Sequence, residues 1–359
     1  MSKELITTND GVNVALNHEL SDEAKAFARA SKADNSLRAY RAQWSMWQEW
    51  ANRNGATVLP ASPAAVASWL SSRANGTAGH VDPRAGRGEK PAGPATLSTI
   101  RIAVAAIKAA HTAAGLDFDS RASAIKLVLA GMARVKGRLQ DQARPFRRSL
   151  LDEILAHSPA DPRGARDAAL LSLAYLTATR RSEVVKIDWA EHRDGDSVLT
   201  IDAAGLHLRF ARSKTSADGE EVVVPRNNFT APLIAAIERW IALAAIELGT
   251  PVVRSIRKGG HIAPGYMHHE APQQVLRAAV RDYRLRQGVN LDAAAAEAMT
   301  YSGHSFRVGV VVDLAEAGAD TASIATVTRH RSSVMPERYA SQASKRARSP
   351  FNKITISTV

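Results

Sequence analysis

"VLTIDAAGLHLRFARSKTSADGEEVVVP", residues 198–225, is the stretch that decides the fold. It holds three short strand-like runs, 198–201, 206–210 and 221–225, parted by Asp, Gly and Ser. The chain on both sides is helical in pattern. Upstream, helices are predicted at about 149–157, 164–177 and 181–186. Downstream they are predicted at 231–248, 272–287, 292–299, 304–317, 321–329 and about 333–342. A small antiparallel sheet set among helices makes this part an α+β domain.

The first half reads as helices alone. "SLRAYRAQWSMWQEWANRNG" puts Leu37, Tyr40, Trp44, Trp47 and Ala51 on one face, with Gly55 as a stop. "SPAAVASWLSSR" opens with Ser62 as N-cap and Pro63 at the first helical position. "TLSTIRIAVAAIKAAHTAAG" repeats the pattern at Leu97, Ile100, Val104 and Ile107, and Gly115 closes it. "SAIKLVLAGMARVKG" follows with Ile125, Val128, Leu129, Met132 and Val135. Four amphipathic helices with short connections predict a compact bundle, with Trp44, Trp47 and Trp69 in its core. One connection is long. Residues 75–94, "NGTAGHVDPRAGRGEKPAGP", hold five Gly and three Pro and read as a flexible loop, with Arg84, Arg87 and Lys90 as possible DNA contacts.

The expected organisation is therefore mainly α. Residues 1–20 read as a disordered N-terminus and 21–140 as a four- to five-helix bundle carrying the 75–94 loop. A linker follows at 141–149, then an α+β domain at 150–342 and a tail at 343–359. A length of 359 residues is comfortable for two such domains.

Lys and Arg outnumber Asp and Glu by 47 to 35, a net charge of +12, so a polyanionic partner is expected. Nucleic acid ranks before a membrane surface, because no lipid-binding helix or lipidation signal is present. No run of ~18 apolar residues is found to span a bilayer, and "MSKELITTND" is not a signal peptide. The chain has no Cys, which excludes disulfides, thiolate metal sites and cysteine nucleophiles, and a reducing cytoplasm is the default. Between Arg121 and Arg148 lie eight basic residues and one acid, Asp141. That run reads either as a strap along a phosphate backbone or as a solvated helix face plus linker.

A chemistry built from Arg, Lys, His and Tyr suits phosphoryl transfer, whose transition state spreads negative charge that fixed cations stabilise. Arg fits because its planar fork makes two bonds to phosphate oxygens. Tyr can act as nucleophile, but only about one phenol in a thousand is ionised at neutral pH, so cations and a base must lie near it. His304 and Arg307 stand three apart in "SGHSFRVG" at the start of a predicted helix. Arg180 and Glu183 have the same spacing in "TRRSEV", and Lys214 sits in a turn between two strands. His330 and Tyr339 lie nine apart in "RHRSSVMPERY". Taken singly, each pair is ordinary helix-surface polarity.

The ordered set resembles the tyrosine recombinase (phage integrase) family, most closely its Cre-like members. "TRRSEV" is similar to the family's Arg-x-Ser-Glu box, which places its first arginine at Arg180. "ARSKTS" resembles the β-hairpin lysine segment and gives Lys214, and "SGHSFRVG" resembles the His-x-x-Arg box and gives His304 and Arg307. "RHRSSVMPERY" has the step from the family's His/Trp position, here His330, to the nucleophile, here Tyr339. The similarity runs from about residue 20 to 342, with "RKGGHIAP" and "LAEAGADTASI" also matching. Ala178-Thr179 stands where the family has Gly-Leu, Arg329 where it has a glycine, and Pro336 three residues before Tyr339.

The resemblance implies a site-specific recombinase that cuts and rejoins DNA through a 3′-phosphotyrosine link, with no cofactor and no metal. Arg180 and Arg307 would clamp the phosphate, His330 would bond to it, Lys214 would protonate the leaving oxygen, and His304 would take the tyrosine proton. Glu183 would orient His304 or Lys214. The implied partners are double-stranded DNA with inverted-repeat half-sites and further copies of this chain, as a DNA-bound dimer assembling into a tetramer. No membrane is involved, and the expected location is the bacterial cytoplasm, on nucleoid, plasmid or phage DNA. Candidates for reading the DNA are Arg38, Arg41 and Arg101 on the bundle, and Gln273, Gln274 and Arg277 on the 272–287 helix. The tail is read as docking on a neighbouring protomer or contacting DNA. The alternatives are a type IB topoisomerase, a catalytically silent DNA-binding regulator and, more distantly, a metal nuclease on His268, His269 and Glu270.

Overall fold

Helix boundaries in the first half follow from caps that the sequence carries. In the computed structural model, which describes residues 21, 34–79, 93–135, 143–189, 197–211 and 219–329, the bundle helices are α1 (Asp34–Arg53), α2 (Pro63–Asn75), α3 (Leu97–Ala113) and α4 (Ser123–Val135). The Ser62 side chain accepts the Ala65 N–H at 3.2 Å, and Pro63 takes the first helical position, where no N–H is needed. Thr96 caps α3 in the same way through the Thr99 N–H.

The apolar faces of these helices meet in one core. Trp47 and Trp69 are fully buried, with ring centroids 5.5 Å apart edge to face, and the Trp47 indole N–H donates to the Val58 carbonyl at 3.0 Å. Leu37 and Tyr40, read on the same stripe, are only half-buried. His111 is also buried. Its Nε2 accepts the Ala61 N–H at 2.8 Å, which leaves Nδ1 to donate to the Ile107 carbonyl at 2.8 Å.

The chain divides into two units, Met1–Gln140 and Asp141–Val359. The second contains α5 (Arg148–Ala156), α6 (Pro162–Leu176), α7 (Arg181–Val184), β1 (Ile187–Trp189), β2 (Ser197–Ile201), β3 (Gly205–Phe210), β4 (Glu220–Pro225) and α8 (Ala231–Leu243). It continues with β5 (Arg254–Ile256), β6 (Ile262–Tyr266), α9 (Ala271–Arg286), α10 (Leu291–Met299), α11 (Ser305–Glu316) and α12 (Thr321–Thr328). α6 is apolar nearly all round and is the buried central helix, packed on α8. Its neighbours in the core include Phe146, Leu199, Leu208, Trp240 and Phe306.

The three expected strands pair antiparallel as β2, β3 and β4, with Leu199 opposite Leu208 and Leu208 opposite Val222. A strand that the sequence did not reveal, β1, joins parallel to β2, so the sheet is mixed and ordered β1-β2-β3-β4. β5 and β6 form a separate antiparallel pair. The Tyr266 hydroxyl holds the Asp188 carboxylate at 2.9 Å and so ties β6 to β1.

Two expectations need correction. The helix expected over 231–248 ends at Leu243, because Ala245 takes φ +44° and turns Ile246 back into a buried position. The described part of the expected 141–149 linker, from Ala143, is not free chain. Phe146 is fully buried, its N–H donates to the Ser305 carbonyl at 3.0 Å, and its carbonyl lies against Gly309 of α11, where an added Cβ would fall 1.8 Å away. Residues 1–20, most of the 75–94 loop, the expected 333–342 helix and the 343–359 tail lie outside the described residues. No helix among the described residues is long and apolar enough to cross a membrane.

Candidate active site

Four of the seven expected catalytic residues fall within the described chain, and they come from two elements far apart in sequence. His304 is the N-cap of α11, set by a tight turn in which the His304 N–H donates to Ser302 Oγ at 3.2 Å. Arg307 follows within the first turn. Valines 308, 310, 311 and 312 line the rest of the helix and draw it into the core, so Arg307 is carried inside and is only 2% exposed.

A guanidinium in that position costs several kcal/mol unless its N–H groups are satisfied. Arg307 Nε donates to the Ala178 carbonyl at 2.9 Å. Nη2 lies 3.9 Å from Glu183 and has no hydrogen-bond partner among the described residues. Burial, then the nearby Arg180 charge, pushes Arg307 down to about 10, so it remains a cation at neutral pH.

The Ala178 carbonyl reaches Arg307 because Ala178 adopts φ +46°, a left-handed conformation that costs a residue with a Cβ roughly 1 kcal/mol or more. This is one of the two positions where the sequence departs from a family glycine. The other is Arg329, at φ +54° as the C-cap of α12.

Arg180 precedes the short helix α7, and its side chain is 57% exposed. Its Nη1 is paired with Glu183 Oε1 at 2.5 Å, and its backbone N–H donates to Oε2 of the same carboxylate at 2.9 Å. The adjacent Arg181 is directed elsewhere, under Gly303 and 3.8 Å from Glu270. Arg180 is therefore the arginine grouped with His304 and Arg307. Burial, with repulsion from Arg307 and Arg180, holds the His304 imidazole below its ordinary value, so at neutral pH it is uncharged and able to take a proton.

The resemblance gives Glu183 the role of orienting His304 or Lys214, and Lys214 lies outside the described residues. Among the described residues the Glu183 carboxylate meets arginines: Arg180, Arg329 at 2.6 Å and, more distantly, Arg307. Burial alone would raise its carboxyl, but the Arg329 charge and the bonds from Arg180 and Arg329 outweigh this and hold it at about 2. Arg329 itself was not among the expected site residues. The available signal was a charged residue at a glycine position beside His330.

Lys214, His330 and Tyr339 lie outside the described residues. Lys214 belongs to the segment joining β3 to β4, whose last described pair is Phe210 opposite Glu220.

The DNA-reading candidates divide. Arg38, Arg41 and Arg101 are exposed on α1 and α3. On α9, Gln274 is exposed, whereas Gln273 Oε1 accepts the Gly303 N–H at 3.3 Å and Arg277 Nε donates to the Tyr301 carbonyl at 2.8 Å. Those two hold the turn that leads into His304. The basic run divides too. Arg121, Lys126 and Arg134 are exposed, but Arg144 pairs with Glu297, Arg147 with Asp313 and Glu316, and Arg148 with Asp152. The described C-terminal part of the run is thus used within the second unit. The His268 and His269 ring centroids lie 4.2 Å apart with the planes tilted by 41°, and His268 Nδ1 accepts the Glu270 N–H at 3.3 Å.

Comparison with known proteins gives a consistent result. Residues 146–346 match the phage integrase family. The chain is 27% identical over 339 residues to an integrase/recombinase xerD homolog of Selenomonas ruminantium, covering 91% of this chain and 87% of that one. It is 24% identical over 288 residues to recombinase cre of Escherichia phage P1, covering 77% and 75%. Among solved structures, the XerH site-specific recombinase in a post-cleavage complex on a palindromic difH substrate aligns with a TM-score of 0.57 at 13% identity, over 98% of this chain and 92% of that one. The Tn1549 transposon integrase with circular intermediate DNA aligns at 0.53 and 12% identity, over 92% and 98%. At such identities the structures share the fold.

Proposed function

The chain belongs to the phage integrase family, and from that premise we propose that it is a site-specific DNA recombinase working by a Cre-like exchange of strands between paired half-sites. One observation carries the reading. Arg307 is buried at the N-terminal turn of α11 beside Arg180 and His304, with a guanidinium nitrogen that has no hydrogen-bond partner among the described residues. A buried donor left unmatched costs about 1–3 kcal/mol, more when charged. A phosphate oxygen would recover it.

In the proposed reaction the Tyr339 oxygen attacks the scissile phosphorus, and the bond to the 5′-oxygen breaks. The phosphodiester becomes a 3′-phosphotyrosyl ester, and the phenol proton passes to His304. Lys214 delivers a proton to the departing 5′-oxygen, leaving a hydroxyl. Arg180 and Arg307 neutralise the charge that builds on the nonbridging oxygens, with His330 bonding to the same group. Attack by the 5′-hydroxyl of the partner strand reverses each step, so the number of ester bonds is conserved. Arg180 must first turn from Glu183 to the phosphate, and its exposure leaves it free to do so. Assembly as a dimer on each target, and as a tetramer when two targets pair, is part of the same proposal.

DNA selected for binding, then rebuilt as a duplex nicked near the cleavage point, tests this. We expect an SDS-resistant protein–DNA adduct that disappears in Tyr339→Phe. Arg180→Ala is expected to bind the duplex within about threefold of wild type and to cleave at least ~100-fold more slowly. An adduct that persists in Tyr339→Phe refutes the nucleophile. Relaxation of a supercoiled plasmid without exchange between two targets refutes the recombinase.

A further inference from the structure

The residue that breaks the family pattern beside His330 bonds to two carboxylates from different elements. The Arg329 side chain is 6% exposed, although the residue ends a helix and holds a left-handed backbone. Its Nη2 bonds to Glu183 Oε2 at 2.6 Å, and its Nη1 to Glu220 Oε2 at 3.4 Å. Its guanidinium carbon lies 3.5 Å from the centre of the Phe210 ring. Glu220 and Phe210 are cross-strand partners at the root of the β3–β4 hairpin, whose connecting segment contains Lys214. Glu183 sits on α7 and also holds Arg180. One side chain thus joins the segment of Arg180, the hairpin of Lys214 and the residue directly before His330.

We propose that Arg329 is a positioning residue of the cleavage reaction: bridging Glu183 and Glu220 across Phe210, it retains the Glu183 carboxylate when Arg180 turns to the scissile phosphate. The charge arrangement supports this. Arg180, Arg307 and Arg329 surround Glu183, and Glu220 faces Arg329 from β4. Once Arg180 leaves, Arg329 is, among the described residues, the cation still within hydrogen-bond reach of that carboxylate. A glycine here would meet the same backbone conformation with less strain, so the arginine is kept against a local cost by what its side chain does. Its planar fork suits two carboxylates at once, which a lysine cannot match.

The inference rests on the recombinase reading, and the experiment separates the two. Wild type, Arg329→Met, Arg329→Lys and Glu220→Gln are compared on one nicked target duplex between about pH 3 and about pH 9, with binding and covalent cleavage scored separately. Arg329→Met is expected to bind within about threefold of wild type and to cleave ~30-fold more slowly, with the acid limb of its pH profile moved to higher pH. The shift follows because Glu183, without its strongest neighbouring cation, takes up a proton more readily. Arg329→Lys should fall between the two. Arg329→Met cleaving at the wild-type rate with an unmoved acid limb overturns the proposal. Should melting curves show Arg329→Met unfolded, Arg329→Lys and Glu220→Gln decide: partial loss with a partial shift supports the bridge, and wild-type behaviour in both overturns it. Absence of any wild-type adduct overturns the recombinase reading, and this inference with it.

Discussion

Arg307 shows how a buried cation is held at the scale of a residue. The Ala178 carbonyl accepts its Nε, and this depends on a backbone conformation that a side chain resists. A β-branched residue resists it most. Ala178→Val is therefore expected to lower stability by about 2 kcal/mol, read from urea unfolding, and to reduce cleavage by moving Arg307. Ala178→Gly should fold and cleave normally.

Glu183 gives the pH dependence. Its carboxyl is held at about 2, below the ordinary ~4.3, so its ion pairs stabilise the fold fully above about pH 5 and are lost as pH falls toward about 2. Glu183→Gln should flatten that part of the stability profile. An unchanged acid limb would mean the carboxylate carries no such load. Spacing alone left Arg180 with Glu183 and His304 with Arg307 as ordinary helix-surface pairs, and it was the ordered set, through its resemblance to a family, that singled them out. Arg329 was noted only as a departure. Its partners come from β4 and α7, and a bridge between segments over a hundred residues apart leaves no local pattern.

At the scale of elements, α11 is set from behind as well as from its N-terminus. The Asp313 carboxylate accepts the Tyr175 hydroxyl at 2.6 Å and the Arg148 N–H at 2.8 Å, and it pairs with Arg147. Burial, then the Asp313 charge, pushes the Tyr175 phenol up, so it stays protonated as a donor. Phe146 passes over Gly309 so closely that no side chain fits between them. Gly309→Ala is expected to lift this strap and cost about 2 kcal/mol or more, measured as a fall in Tm, with Arg307 reactivity declining in parallel. A wild-type Tm would show that the strap is loosely held.

Elements with long periodic runs or clear caps were readable, as Ser62 and Thr96 show. β1, β5, β6 and the true end of α8 were not. Strands of three residues are too short to alternate, and α8 stops where Ile246 finds a place in the core, with no Gly, Pro or cap residue to announce it. The strap was read as linker because Pro and Arg look solvent-facing until Glu297, Asp313 and Glu316 are brought opposite them.

At the scale of the whole molecule, the net charge of +12 is spread unevenly, and the described arginines after Ala143 in the basic run are neutralised by acids of the second unit. The exposed cations on α1, α3 and α4 are the candidates for DNA contact. Binding is expected to weaken ~10³-fold or more between ~50 and ~200 mM salt, measured by titration of the selected duplex. Arg38→Ala and Arg101→Ala should each reduce that slope by about one if they meet phosphate, and alter sequence preference if they meet bases. The central claim concerns the covalent bond. The direct measurement is mass spectrometry of the adduct after nuclease and protease digestion. The account predicts a 3′-phosphonucleotide on the peptide containing Tyr339, and an adduct mapped to any other residue, or joined through a 5′-phosphate, contradicts it.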